Sequence, residues 1–213
     1  MSIVTSFTFN AFQENTFVIY DETLSAVVID PGCNNVNEQS TFEAFIRNQL
    51  LKVEMIINTH CHLDHVLGNR FVYDQFSTDL RIHKGEMVVL QNYLQVAALY
   101  GIAAEASPPP SGFLEEGEVV EFGQTSLEVL FTPGHSPASI SLYNEKDNYI
   151  IGGDVLFKGS IGRTDLPGGD FKTLIESITS KFLSLPDNTI VYPGHGPATT
   201  IGEERRNNPF LNS

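Results

Sequence analysis

A chain of 213 residues, 41% hydrophobic and 18% charged, has the composition of an ordinary globular protein and the length for a core that needs no disulfide scaffold. Its 26 acidic against 12 basic side chains give a net charge of −14, so a polyanion would be repelled by most of the surface, and nucleic acid is excluded as a partner. The opening MSIVTSFTFN lacks a basic or apolar leader, no run approaches the roughly 18–20 apolar residues of a membrane span, and Cys33 and Cys61 are the only cysteines; a cytoplasmic protein with no membrane contact is expected.

Residues 3 to 9 and 15 to 20 are β-rich, and the apolar run 26 to 29 stops at the turn signal Asp30-Pro31-Gly32, so three strands in an antiparallel meander should open the chain. Phe42, Phe45, Ile46, Leu50 and Leu51 recur at helical spacing, and Val53 to Ile57 reads as a short apolar strand. Val66 to Phe76 then reads as a helix, Leu80 to His83 as a strand and Glu86 to Ile102 as a longer helix. Ser107-Pro108-Pro109-Pro110-Ser111-Gly112 is a loop, because proline removes donors and fixes φ, and it is expected to lie near the site. Strands return at 119–122, 127–131, 139–143 and 149–152, followed by a helix over 171–183, a strand over 189–192 and a short helical tail. No repeat and no Gly/Ser linker divides the chain. The expectation is one α+β domain over 1–213, with two sheets packed together and helices outside.

The chemistry begins where the strand at Val53–Ile57 ends. Thr59-His60-Cys61-His62-Leu63-Asp64-His65 sets three of the six histidines and one carboxylate within six residues, the ligand types that suit zinc, iron and manganese. Neighbours so close cannot all face one ion, so alternate positions are expected to serve two ions about 3.5–4 Å apart. Further ligands are expected at turns that follow β-runs: Pro133-Gly134-His135, Gly152-Gly153-Asp154 and Pro193-Gly194-His195, where glycine permits close backbone approach. His83 has no such turn and is read as structural. Cys61, between two candidate ligands on an extended segment, should point away from them, and nothing requires Cys33 to react.

The ordered set Asp30, His60-Cys61-His62-Leu63-Asp64-His65, His135, Asp154 and His195 resembles the five motifs of the metallo-β-lactamase superfamily, in the branch that contains glyoxalase II. Gly159-Ser160-Ile161-Gly162-Arg163-Thr164-Asp165 and the ending Ile201-Gly202-Glu203-Glu204-Arg205-Arg206-Asn207-Asn208-Pro209-Phe210 are similar to the short bacterial glyoxalase II-like proteins. The resemblance implies an αββα sandwich. It implies that His60, His62 and His135 hold one divalent ion, that Asp64, His65 and His195 hold a second, and that Asp154 bridges both. Zinc is the metal expected first, with iron or manganese as alternatives. Asp30 would orient a ligand from behind, and Arg163 would meet the anionic end of a substrate. Glyoxalase II proper has an additional helical C-terminal domain that contributes to holding glutathione, and this chain is expected to be without it.

The activity so implied is hydrolysis of a small anionic thioester, such as S-lactoylglutathione, by a metal-bridging hydroxide, with Asp64 and Asp154 as the catalytic carboxylates. Persulfide dioxygenases of the same superfamily carry one iron on two His and one Asp and share a Gly-Arg-Thr-Asp stretch, which provides an oxidoreductase alternative. A non-catalytic metal-binding member is a third reading, disfavoured because all seven ligand positions carry ligands.

Overall fold

The structure, a computed structural model, describes residues 1–212 and divides into two compact units, 1–114 with 121–126, and 115–120 with 127–212.

In the first unit, β1 (Ile3–Phe9), β2 (Glu14–Tyr20) and β3 (Ser25–Ile29) form the expected antiparallel meander. β4 (Lys52–Ile57), β5 (Asp79–Ile82) and β6 (Gly112–Phe113) then add in parallel, giving the order β1-β2-β3-β4-β5-β6. Parallel neighbours need crossovers, and α1 (Val36–Asn48) supplies the first. Its N-cap Asn35 accepts from the backbone N–H groups of Asn37 and Glu38, and it buries Phe42 and Ile46, one turn apart. The C-terminal ends of β3 and β4 deliver Asp30 and the segment from Asn58 onward, the edge at which parallel sheets present ligands.

The helix expected over 66–76 is two helices, α2 (Leu63–Val66) and α3 (Asn69–Phe76). Gly68 breaks it: its N–H donates to the carbonyl of Pro31 at 2.7 Å, and a Cβ there would sit 2.7 Å from that oxygen and from the Cys33 sulfur. The helix expected over 86–102 is shorter, a 3₁₀ turn at 84–86 and then α4 (Met87–Leu99), because Gly101 in the left-handed region (φ 69°) closes it and lets Ile102 donate back to Ala97. Among the described residues no helix is long and apolar enough to cross a membrane.

The second sheet has the order β14-β13-β10-β9-β8-β7, from β7 (Val119–Phe122), β8 (Thr125–Phe131), β9 (Ile140–Asn144), β10 (Tyr149–Gly153), β13 (Ile190–Pro193) and β14 (Thr199–Thr200). A separate ribbon, β11 (Leu156–Phe157) with β12 (Ser160–Ile161), escaped the sequence reading because two-residue strands leave no periodicity. The helix expected over 171–183 is α5 (Phe171–Ser177) followed by one π turn over 178–182, and α6 (Ile201–Asn207) is the helical tail. Ile150, Leu174, Ile178, Phe182, Val191 and Ile201 join in its core.

Candidate metal centre

In the first unit Asp30 is the pivot. It leaves β3 at φ 49°, a left-handed conformation uncommon outside glycine, and is 1% exposed. Its carboxylate accepts from Thr59 N (2.7 Å), Thr59 Oγ1 (2.6 Å) and His65 Nδ1 (3.1 Å). Because the Thr59 hydroxyl gives its proton to Asp30, its oxygen is left to accept from His60 Nδ1 at 3.1 Å. Both buried imidazoles are thereby set in the tautomer that keeps the lone pair on Nε2, as metal-ligating histidines are held by carboxylates and hydroxyls. The His60 ring lies 4.1 Å from that of His65 and 4.8 Å from that of His62, and His65 Nε2 is 3.6 Å from Asp64 Oδ2.

Residues outside the motif hold its backbone. Asn10 Nδ2 donates to the carbonyls of Asp64 (3.0 Å) and Gly32 (3.1 Å), Asn58 Nδ2 to that of His65 (2.9 Å), and Glu86 accepts from Cys61 N (2.8 Å). Asn69 joins Asn58 to Ser107, which brings the start of the proline-rich loop within two hydrogen-bonded side chains of His65. Glu14, fully buried, shares the Thr16 hydroxyl with the Asp30 carbonyl, and desolvation holds its carboxyl well above the usual range against the pull of His65. Sequence reasoning missed these five polar groups.

Cys61 packs in the apolar core and Cys33 is equally buried; burial pushes the Cys33 thiol up to about 12 and the Cys61 thiol well above its usual value. Neither is a nucleophile in this state. His83 caps the 3₁₀ turn by accepting from Gly85 N, the structural role expected of it.

In the second unit three more candidates converge. His135 Nε2 lies 3.4 Å and His195 Nε2 3.6 Å from the same oxygen of Asp154, Oδ2. Ligands bound about 2.0–2.1 Å from one ion at tetrahedral angles stand about 3.3–3.4 Å apart, so the donor set fits a transition metal in chemistry and in spacing. His135 Nδ1 donates to the carbonyl of Arg163 at 2.8 Å, which again leaves Nε2 as the lone-pair nitrogen. Arg163 thus contributes a backbone oxygen that the sequence reading did not foresee. Its guanidinium, more than half exposed, makes a bidentate pair with Asp165, both contacts at 2.7 Å, and the arginine holds the Asp165 carboxyl down at about 2.

The profile of the metallo-β-lactamase superfamily matches residues 9–195. The chain belongs to the metallo-β-lactamase superfamily. Within the superfamily it is 37% identical over 205 residues to the hydroxyacylglutathione hydrolase GloC of Haemophilus influenzae, covering 95% of both chains. Among solved structures it is similar to the B3 metallo-β-lactamase BLEG-1 (TM-score 0.91, 36% identity, 99% of this chain and 100% of that one). It is also similar to TTHA1623, solved in a di-iron-bound form (TM-score 0.88, 36% identity, 98% and 100%). The fold class expected from the sequence, α+β of the αββα metallo-β-lactamase type, is therefore the fold of this chain.

Proposed function

We propose that the protein is a dinuclear metal-dependent hydrolase of small anionic thioesters. His60, His62 and His135 would hold one divalent ion, Asp64, His65 and His195 the other, and Asp154 would bridge them. The observation that carries the reading is the approach of His135 and His195 to one oxygen of Asp154, with His60, His65 and His135 all set with the lone pair on Nε2. The similarity to GloC, named as a hydroxyacylglutathione hydrolase, supports the thioester substrate, and the di-iron form of TTHA1623 supports two ions.

Bound ions supply a Lewis acid for the substrate carbonyl and lower the pKa of water from 15.7 to about 7. Asp64, held through its backbone by Asn10, orients the attacking water, and Asp154 fixes the spacing of the two ligand groups. A thiolate departs without a strong general acid, and the chain needs none. Arg163 receives the far, anionic end of the substrate by exchanging Asp165 for it.

Elemental analysis of freshly purified protein, with a panel of thioesters, lactones and glutathione persulfide, tests the reading. Close to two ions per chain and oxygen-independent thioester cleavage are expected, with S-lactoylglutathione cleaved. At most one iron and oxygen consumption with the persulfide would establish the dioxygenase instead.

A further inference from the structure

The ribbon β11–β12 joins all three candidate ligands of the second unit. It begins two residues after Asp154, its Phe157 ring stands edge-on to His195 (centroids 6.4 Å), and it runs into Arg163, whose carbonyl holds His135. Its root is tight: Gly162 N donates to Val155 O at 3.1 Å, and a Cβ at Gly162 would run into the Asp154 carbonyl and lie 3.2 Å from the His135 Cβ. The far end is the exposed turn at Lys158-Gly159, where a Cβ at Gly159 would meet no atom within 4 Å. A two-residue ribbon is marginal by itself, so something must hold that turn.

The C-terminal segment Ile201–Phe210 holds it. Glu204, 1% exposed, accepts from Gly159 N (2.8 Å), Asn208 Nδ2 (2.8 Å) and Thr199 Oγ1 (2.6 Å). Asn208, fully buried, donates in turn to the carbonyl of Ser160 at 3.0 Å and accepts from Phe210 N. Three donors on one buried carboxylate are a strong, directional clamp.

We propose that Glu204 and Asn208 are positioning residues for the metal centre: by clamping the turn of the β11–β12 ribbon they fix the Arg163 carbonyl on His135 Nδ1 and Phe157 against His195. This rests on the reading of His135, Asp154 and His195 as metal ligands.

The test titrates chelator-stripped protein with Co(II) against a competing chelator, and reads the His135 tautomer by nitrogen-15 NMR on the metal-free protein. Glu204→Ala and Asn208→Ala are expected to weaken Co(II) binding by about 10–100-fold, to shift the ligand-field absorption, and to lose the proton fixed on His135 Nδ1. Glu204→Gln keeps one oxygen for Gly159 N and Asn208 Nδ2, which share it, but faces the Thr199 hydroxyl with a donor, so an intermediate, several-fold weakening is expected; it decides the matter if the alanine variants do not fold. Variants that unfold at lower temperature yet bind Co(II) with wild-type affinity and spectrum would overturn the proposal. His135→Ala separates the two levels. If it loses affinity while the Glu204 variants do not, positioning alone fails; if it retains wild-type affinity, the ligand reading fails and the proposal with it.

Discussion

A single carboxylate shows how far one residue reaches in this chain. Asp30 receives the proton of Thr59 and the Nδ1–H of His65, and through Thr59 it also dictates which nitrogen of His60 carries a proton. Asp30→Asn would keep an acceptor for Thr59 N but set an NH2 against a hydroxyl and an imidazole. His65 then accepts at Nδ1 and carries its proton on Nε2, where a ligand needs the lone pair. A 10–100-fold loss of metal affinity with little change in the unfolding temperature of the metal-free protein is expected, measured by chelator competition. Arg163 divides its roles differently, since its carbonyl serves His135 and its side chain pairs with Asp165. Arg163→Ala leaves the carbonyl in place, so metal content should not change, whereas KM for an anionic thioester should rise more than kcat falls. Steady-state kinetics at two ionic strengths check this; an unchanged KM with unchanged salt dependence would reduce the guanidinium to an exposed ion pair.

Turns carry the strain. The Pro133-Gly134-His135 turn packs on α5: Gly134 has φ 126°, its carbonyl accepts from Asp170 N, and a Cβ would run into the backbone of Leu174. Gly196, beside His195, has φ 74° but would place its Cβ in open space. Gly134→Ala should therefore cost about 3–5 kcal/mol, strain plus a backbone clash, and Gly196→Ala only about 1–2 kcal/mol. Thermal unfolding of the two variants, expected to fall by roughly 2–4 °C per kcal/mol, tests the difference. The tip of the β7–β8 hairpin is fixed instead by charge. Burial alone would raise the Asp21 carboxyl, but hydrogen bonds from Thr23, Gln124 and Thr125 overcome it and hold the group at about 2. A folded value below the unfolded value of about 3.9 means that its stabilisation is complete above pH 4 and is lost as pH falls toward 2, at most about 2.6 kcal/mol. Asp21→Asn should flatten the acid limb of the stability curve in that window and lower stability at pH 7, as denaturant titrations from pH 2 to 7 would show.

The whole molecule joins a strongly acidic chain to a cluster of donors that could hold metal ions. What was legible in the sequence was local: the candidate ligands follow strands because apolar runs such as Met55-Ile56-Ile57 and Tyr149-Ile150-Ile151 stop shortly before them, with Asp64 and His65 a few residues further on in α2. The residues that fix those ligands were not legible, because Asn10 and Glu86 lie 54 and 25 positions from the backbone groups they bind, and no period or motif marks such partners. The break at Gly68 was hidden for the same reason, since Pro31 and Cys33 cause it. Metal binding turns this arrangement into a property of the entire chain, since ions that bind only the folded state stabilise it by mass action, about 2.7 kcal/mol per site at 100 times the dissociation constant. Two sites at that saturation give about 5.4 kcal/mol, or roughly 10–20 °C in unfolding temperature for a chain of this size. A net charge of −14 makes part of any cation effect non-specific, because divalent ions also relieve self-repulsion. Calcium separates the two contributions: it screens charge but prefers oxygen donors to imidazole. The rise produced by zinc or manganese over chelated protein should exceed that of calcium by the specific amount, and Asp154→Ala, which removes the proposed bridge, should abolish most of the excess while leaving the calcium effect intact. An equal rise with calcium and with zinc would make the stabilisation a matter of charge alone.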